Sequence, residues 1–376
     1  MTLGEQAGLA QRTKIAIAVS GGSDSLALLL LTHRWNARFG YPLIALTVDH
    51  HLRPESTQEA QYVQTYAHSL RIPHRTLSWT PLGDLPHGHL EHDARNARYA
   101  LLATSCWQEG CTLLLLGHTQ EDQIETLLLR AFRESGAFGL AGMNPLRFLH
   151  ARLALLRPLL AIPRQDLQQF LSQQSVSWIS DPHNENRSFE RVRVRQALKQ
   201  SEITTCKNLL FLTKFYAIER RFYTQATLYF LQKHASFSDF KGRIDSASFC
   251  RLSRPLQCYI LRRVISCVGG KRYPPNETML DRSCQRLISS SFLRLTLGLT
   301  VITKNKSWII VTRESRNLPA PLCINPKQLV CWDGRFWLYN TTDTPCWIHC
   351  PMGEAAPFAS GVFCVATSLE NILKIW

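Results

Sequence analysis

No stretch of this 376-residue chain stays apolar over the roughly 18–20 residues that a bilayer-spanning helix needs. The opening residues, MTLGEQAGLAQRTK, are too polar for the apolar core of a secretory leader, so a cytoplasmic protein without a membrane partner is expected. The dinucleotide pattern G-x-G-x-x-G is missing, and so is the lysine-bearing triphosphate cradle G-x-x-x-x-G-K-S/T. No C-x-x-C pair occurs, although the chain has 12 cysteines. Disulfide frameworks belong to small secreted chains, which this is not. The tightest cluster, Cys346 to Cys350, lacks further ligands at a metal-site spacing. The cysteines therefore read as small buried apolar side chains. Internal repeats, low-complexity tracts and long linkers are also absent.

What the chain has in excess is positive charge, a net +15. Residues 1–200 hold 20 Lys+Arg against 17 Asp+Glu, whereas residues 201–376 hold 23 against 11. Most of the excess thus sits in the back half. Such a balance suits a polyanion, either nucleic acid or an acidic membrane surface; a solvated basic face is the plainer alternative. With 45% hydrophobic residues, the chain can bury the cores of two or three domains.

The first half alternates two patterns. Short apolar, β-branched runs occupy 15–19, 43–48, 74–79 and 112–116, and helical spacing marks 26–39, 55–70, 92–109 and 121–132. Strand and helix in alternation imply a doubly wound parallel sheet with helices on both faces. Ligands in such sheets bind outside the carboxyl ends of the strands. Residues 157–200 read as a return segment. Beyond residue 200 the text becomes one long basic helix or a helix pair, then a helix ended by Gly269 and Gly270. A strand-rich part follows, in which LVCWDGRFWLYN reads as a hairpin turning at Asp-Gly. The expected domains are 1–200 (catalytic), 201–265 (basic and helical) and 266–376 (α+β).

The first strand leads into Ser20-Gly21-Gly22-Ser23-Asp24-Ser25. Glycines at a strand-to-helix turn let backbone N–H groups converge on an anion, and the next helix aims its positive end at the same point. Ser20, Ser23 and Ser25 add hydroxyls. Asp24 would repel a phosphate unless a divalent cation lay between them, which points to Mg²⁺ with ATP. An ordinary helix cap is the alternative; it accounts for one serine and Asp24 but not for two glycines. In GHTQEDQIET (residues 117–126), Asp122 and Glu125 are i, i+3 and share a helix face. Two such carboxylates can hold an ammonium or a metal ion, or assist deprotonation of an amine; an acidic first turn is the alternative. Arg98 suits a phosphate or a carboxylate, or else a surface ion pair. Arg191, Arg193 and Arg195 alternate along a segment that could face RNA phosphates, or remain solvated.

SGGSDS after a strand resembles the pyrophosphate-binding loop of the ATP pyrophosphatases. Within them the chain most resembles the tRNA(Ile)-lysidine synthetase family. VDHHLRPES (48–56), ARNARY (94–99), GHTQEDQIET, GLAGM (139–143), RPLL and DPHNENRSFERVRVR (181–195) follow that family's segments in order over about residues 14–200. His51 and Glu134 stand where the family has glycine, Glu121 where it has the first aspartate of a pair, and Val192 where it has asparagine.

The resemblance implies an adenine nucleotide α-hydrolase-like fold and ligation of L-lysine to C2 of the wobble cytidine in isoleucine tRNA with a CAU anticodon. ATP adenylates the C2 oxygen while Ser20, Gly21, Gly22, Ser23, Asp24 and Ser25 hold pyrophosphate, with Mg²⁺ on Asp24. The lysine amine then displaces AMP, with Asp122, Glu125 and Arg98 positioning the reactants and His118 in support. The basic region after residue 200 grips the tRNA. An RNA 2-thiolation enzyme of the same superfamily would be expected to place cysteines or an iron–sulfur cluster near the strand ends. Residues 1–200 hold only Cys106 and Cys111, which flank a helix end. A non-catalytic tRNA-binding protein is the other alternative; Asp24, Asp122 and Glu125 argue against it.

Overall fold

The computed structural model describes residues 13–49, 55–79, 90–150, 152–179, 190–199, 203–238, 241–271, 273–316, 318–348 and 362–367. His51, the segment 181–188, Arg272 and Cys350, each singled out in the sequence, lie outside them. The chain divides into two compact units. Residues 1–133 and 142–213 form the first, and residues 134–141 and 214–376 the second.

In the first unit the apolar runs become β1 (Lys14–Ala18), β2 (Leu43–Asp49), β3 (His74–Ser78) and β4 (Cys111–Leu116). Between them lie helices α1 (Ser23–Asn36), α2 (Ser56–Ser69) and α3 (Leu90–Gln108), and α4 (Gln120–Phe132) follows β4. Each boundary falls within three residues of its sequence expectation. These four strands are parallel, in the order β3-β2-β1-β4. Ile15, Ala16, Ile17 and Ala18 of β1 are all buried, so both faces of the strand are covered, as a parallel sheet requires.

One feature departs from the expected all-parallel sheet. Residues 146–156 form a hairpin, β5 (Leu146–His150) and β6 (Leu153–Leu156), after the one-turn helix α5 (Ala137–Leu140) of the second unit. β6 extends the sheet in parallel beside β4, and β5 closes the edge antiparallel. LRFLH and LALL lack a clear alternation and are broken by only two residues, so no period marks them as strands. Two further helices complete the unit, α6 (Arg164–Gln173) and α7 (Glu190–Lys199).

The 32-residue helix α8 (Ile203–His234) is continuous, not a helix pair, and the division between the units falls within it. In the second unit, α9 (Ser246–Cys250), α10 (Arg254–Gly269) and α11 (Glu277–Ser289) accompany an antiparallel sheet. Its strands are β7 (Ala235–Ser238), β8 (Lys241–Asp245), β9 (Leu293–Leu297), β10 (Thr300–Lys304) and β11 (Trp308–Arg313), in the order β7-β8-β11-β10-β9. One core joins Ile260, Leu261, Val264 and Ile265 of α10 to Ile302 and Val311 of the sheet. The helix α10 stops at Gly270, which caps it in the left-handed region.

The Asp-Gly hairpin forms as expected. β13 (Leu329–Trp332) pairs with β14 (Phe336–Asn340), following β12 (Leu322–Ile324). Asp333 and Gly334 between them have φ of 51° and 63°, the backbone that a two-residue turn of matching twist needs. Strands β15 (Cys346–Ile348) and β16 (Val362–Thr367) pair with β12 and β14 respectively.

Candidate functional site

Strand order reverses direction at β1, with β2 and β3 on one side and β4 on the other. The crevice at such a switch point, at the carboxyl ends of the strands, is where doubly wound sheets bind ligands. The two segments singled out in the sequence flank it: residues 19–25 after β1 and residues 117–125 after β4. Gly117 explains how closely they approach. A Cβ there would stand 3.1 Å from the Asp24 carbonyl oxygen and 3.2 Å from Ser25 Cα.

In the loop after β1, Gly21 has φ +86°, and a Cβ on it would lie 2.5 Å from Ile179 Cδ1. The Gly21 carbonyl accepts a hydrogen bond from the Ile179 N–H at 3.0 Å, so glycine is demanded by conformation and by space. The Ser25 hydroxyl donates to the Gly22 carbonyl at 2.9 Å and accepts the Ser20 N–H at 3.1 Å, which ties the loop to the first turn of α1. The Ser23 hydroxyl donates to Asp24 Oδ1 at 3.0 Å, while Ser20 is exposed beside Ser25. Gly22 occupies the N-cap of α1, and no side chain caps that helix. The capping alternative for the serines therefore does not hold. The N–H groups of Ser25 and Leu26 donate to the Gly22 carbonyl at 3.1 Å, and no side chain among the described residues takes those of Ser23 and Asp24, so the start of α1 keeps the positive character that attracts anions.

Asp122 is the third residue of α4, and its Oδ2 accepts the Thr119 N–H at 2.8 Å. The bland reading of an acidic first turn is thus true of one oxygen only. Its Oδ1 accepts from Arg191 Nη2 at 2.6 Å. Glu125, one turn further on and with no solvent exposure, accepts from Arg191 Nε at 2.6 Å and from Arg195 Nε at 2.8 Å. Arg191 therefore bridges the two carboxylates. Burial pushes the Asp122 pKa up, but Arg191, His118, the Thr119 N–H and Arg164 outweigh it, leaving the group below its ordinary range.

Arg191 and Arg195 are one turn apart on α7 and so share a face. Their expected role in a basic RNA-facing surface needs correction: both guanidinium groups are directed at the α4 carboxylates. Arg193, on the other side of α7, is exposed.

Sequence reasoning passed over Arg164. It opens α6, and its Nε donates to Asp24 Oδ2 at 2.8 Å while its Nη2 lies 3.8 Å from Asp122 Oδ2. Glu121 holds this arginine's backbone in place, since both its carboxylate oxygens accept the Arg164 N–H at 3.0 Å. Glutamate in the place of the family's aspartate thus anchors the start of α6. The available signal was Pro163-Arg164 after a turn, a helix start with a cation in its first turn, where the dipole disfavours one. Asp24 itself has its pKa raised, because burial outweighs the opposing pull of Arg164 and Ser23.

His118 follows β4, and its ring nitrogen Nδ1 is enclosed without a hydrogen-bond partner among the described residues. Burial lowers its pKa to about 3; Asp122 opposes the shift, and Arg157, Arg98 and Arg191 reinforce it. The imidazole is neutral at physiological pH. Arg98, on α3, thus reaches this site through its field on His118. The linkage has a definite sign: an unfolded chain binds a proton near pH 6.5 that the folded one refuses until about pH 3. Stability should therefore be full above that upper value and fall with acidification, by roughly 2 kcal/mol between pH 7 and 5 from this residue alone. His118→Gln should remove that share of the acid slope in denaturant unfolding followed across pH. The residue left by His74 and His150, whose pKa values are also lowered, should remain. An unchanged slope would sink the assignment.

Two nearby segments bear on the loop after α4. Glu134, standing where the family has glycine, adopts φ 50°, the region glycine favours. The end of GLAGM is pinned to α4 by paired bonds, with Gln123 Nε2 donating to the Met143 carbonyl at 2.9 Å and the Met143 N–H donating to Gln123 Oε1 at 2.7 Å.

Comparisons with known proteins bear on this geometry. A PP-loop domain family model matches residues 3–202. The tRNA(Ile)-lysidine synthase of Mesorhizobium japonicum is 36% identical over 347 residues, spanning 90% of this chain and 75% of that protein. The tRNA(Ile)-lysidine synthase of Orientia tsutsugamushi is 32% identical over 337 residues, 87% and 75% of the two chains. Among solved structures, the U34-tRNA thiolase NcsA from Methanococcus maripaludis superposes with a TM-score of 0.45 at 16% identity, over 56% of this chain and 74% of that one. That likeness is too distant to bear on function.

Proposed function

The chain belongs to the tRNA(Ile)-lysidine synthase family, built on a PP-loop domain, and from that premise we propose how its own residues carry out the reaction. The activity is ATP-dependent ligation that forms lysidine in isoleucine tRNA. ATP lies with its phosphates against the loop of Ser20, Gly21, Gly22, Ser23, Asp24 and Ser25, where the uncapped first turn of α1 and the exposed Ser20 hydroxyl meet them. Adenylation of the C2 oxygen of the wobble cytidine, in a tRNA with a CAU anticodon, splits off pyrophosphate there. L-lysine then attacks C2 and AMP leaves.

The observation that carries the placement of lysine is the Arg191 bridge. One cation already sits between Asp122 Oδ1 and Glu125 Oε2, at 2.6 Å from each. With Arg195 also on Glu125 and Arg164 near Asp122, the pair draws cationic groups, and a lysine ammonium has the charge to compete for the place of Arg191. Arg98, close enough to act on His118 by its charge, and the neutral His118 orient the activated base by charge and hydrogen bonding. The donor set also suits Mg²⁺. Asp24 offers hard carboxylate oxygens beside the Ser23 hydroxyl, and its raised pKa marks a buried anion that Arg164 leaves incompletely balanced. Asp24 and Ser23 would hold that ion, and it would supply positive charge to offset that of the phosphates.

Among the described residues no helix is long and apolar enough to cross a membrane. The basic excess of residues 201–376 supports tRNA contacts from that region, and a cytoplasmic location fits the substrate. The three-part division into 1–200, 201–265 and 266–376 stands as a proposal for how the tasks are shared. The test uses purified protein, isoleucine tRNA with a CAU anticodon, ATP, Mg²⁺ and labelled lysine. Label should enter the tRNA only with ATP present and release one pyrophosphate per lysine. Labelled sulfur incorporated in place of lysine, or tRNA binding without turnover, would overturn the reading.

A further inference from the structure

The loop after β1 presents a contradiction. It is placed and shaped to receive phosphates, yet residues 19–25, VSGGSDS, contain no cation and do contain an anion. Loops that hold triphosphates commonly supply a lysine from within. Here the nearest fixed positive charge comes from 140 positions downstream. Arg164 at the start of α6 donates from Nε to Asp24 Oδ2 at 2.8 Å and from Nη2 to Thr119 Oγ1 at 3.4 Å.

Its placement is over-determined. Glu121 grips its backbone with both oxygens, and the Gln120 N–H donates to the carbonyl of Ile162, two residues before it, at 3.1 Å. Its side chain keeps 23% exposure, against 0% for Glu125, so the guanidinium borders the opening of the site and is not sealed inside. A guanidinium has five N–H donors in a fixed fork. The bonds above use two of them, and a planar fork of this kind is matched to phosphate oxygens.

We propose that Arg164 is the phosphate-binding cation of this loop, reaching the pyrophosphate part of ATP and holding it as it leaves. This deepens the functional reading above and rests on it. When the Pα–O bond to the leaving group breaks, the electron pair departs with pyrophosphate, and the added charge falls beside the guanidinium. Removing Arg164 should be tolerated by the fold, because its side chain is partly open to solvent and Asp24 keeps the Ser23 hydroxyl as a partner.

The experiment compares wild type, Arg164→Lys and Arg164→Met. Arg164→Met should raise the KM for ATP and weaken inhibition by pyrophosphate by at least about tenfold, with the KM for lysine and for tRNA within about twofold. Arg164→Lys should recover part of the pyrophosphate affinity. Direct titration of each protein with inorganic pyrophosphate, followed by calorimetry, gives the same ranking without turnover. It therefore judges this inference even if wild type proves not to ligate lysine, a failure that would count against the functional reading alone. Unchanged ATP and pyrophosphate affinity in a folded Arg164→Met protein, or an equal rise in the KM for lysine, would overturn the proposal. If Arg164→Met does not fold, the Arg164→Lys titration decides: affinity equal to that of an Arg34→Lys surface control would overturn it.

Discussion

Glu125→Ala is expected to cost about 3–5 kcal/mol of folding stability and to abolish lysine ligation. The carboxylate has no solvent exposure and accepts from Arg191 Nε at 2.6 Å and from Arg195 Nε and Nη2 at 2.8 and 3.3 Å. Truncation leaves two guanidinium groups facing a buried void. Arg191 would retain Asp122, whereas Arg195 loses every carboxylate contact it makes to Glu125. The loss is one of breaking a buried network, where the orphaned charge, not the missing attraction, sets the size of the effect. Glu125→Gln separates the two consequences. It keeps the volume and two acceptor lone pairs, so it should recover part of the stability while ligation stays severely impaired, because a neutral amide cannot hold a lysine ammonium. Urea denaturation midpoints with a fixed m-value check the first statement and labelled-lysine incorporation the second. A loss under about 1 kcal/mol for Glu125→Ala would mean that water or rearrangement satisfies the arginines.

The second large effect is expected at Asp24. Asp24→Asn keeps the size and the Ser23 contact but removes the charge that pairs with Arg164 and would carry a cation. Activity should fall at least about 100-fold, the scale on which a single positioned electrostatic group contributes to a transition state. Stability should barely change, or should rise slightly. The sign follows from the raised pKa: burial disfavours the charged form more than Arg164 favours it, so a neutral side chain suits the folded state above that group's ordinary range. Affinity for tRNA, measured by filter binding, should stay within about twofold, since the phosphate contacts that dominate RNA binding are expected from the basic region after residue 200. A destabilised Asp24→Asn protein with normal turnover would reverse both parts of this expectation. The contrast between the two sites is informative. Both are carboxylates paired with arginine, Glu125 fully buried and Asp24 half-buried, yet one is predicted to hold the fold together and the other to strain it slightly for the sake of chemistry.

Much of this was legible beforehand because it is written in local patterns. Alternating apolar runs and helical spacings gave β1 to β4 and α1 to α4, since a strand buried on both faces and an amphipathic helix each leave a period in their own residues. The glycine pair at 21 and 22 and the Asp333-Gly334 turn were equally local, because each reflects a backbone conformation decided within a few positions. The β5–β6 hairpin escaped, as LRFLH and LALL are short, lack alternation and depend on the edge of a sheet assembled earlier in the chain. Glu134 shows the reverse case: its departure from glycine was visible in the sequence, and its φ of 50° shows the backbone that glycine would have relieved.

By itself the sequence determined the doubly wound sheet, the loop of serines and glycines at its first strand end, the paired carboxylates of α4 and the family to which the chain belongs. Only the tertiary structure decided which charges meet. Asp24 finds Arg164 across 140 positions, and Asp122 and Glu125 find Arg191 across 69 and 66. An ion pair between distant residues leaves no periodic trace, because its energy depends on separation in space and on the burial of both partners. Read along the chain, Arg191 and Arg195 looked like part of a surface for RNA. Folded, they neutralise the α4 carboxylates Asp122 and Glu125, which could not otherwise be buried.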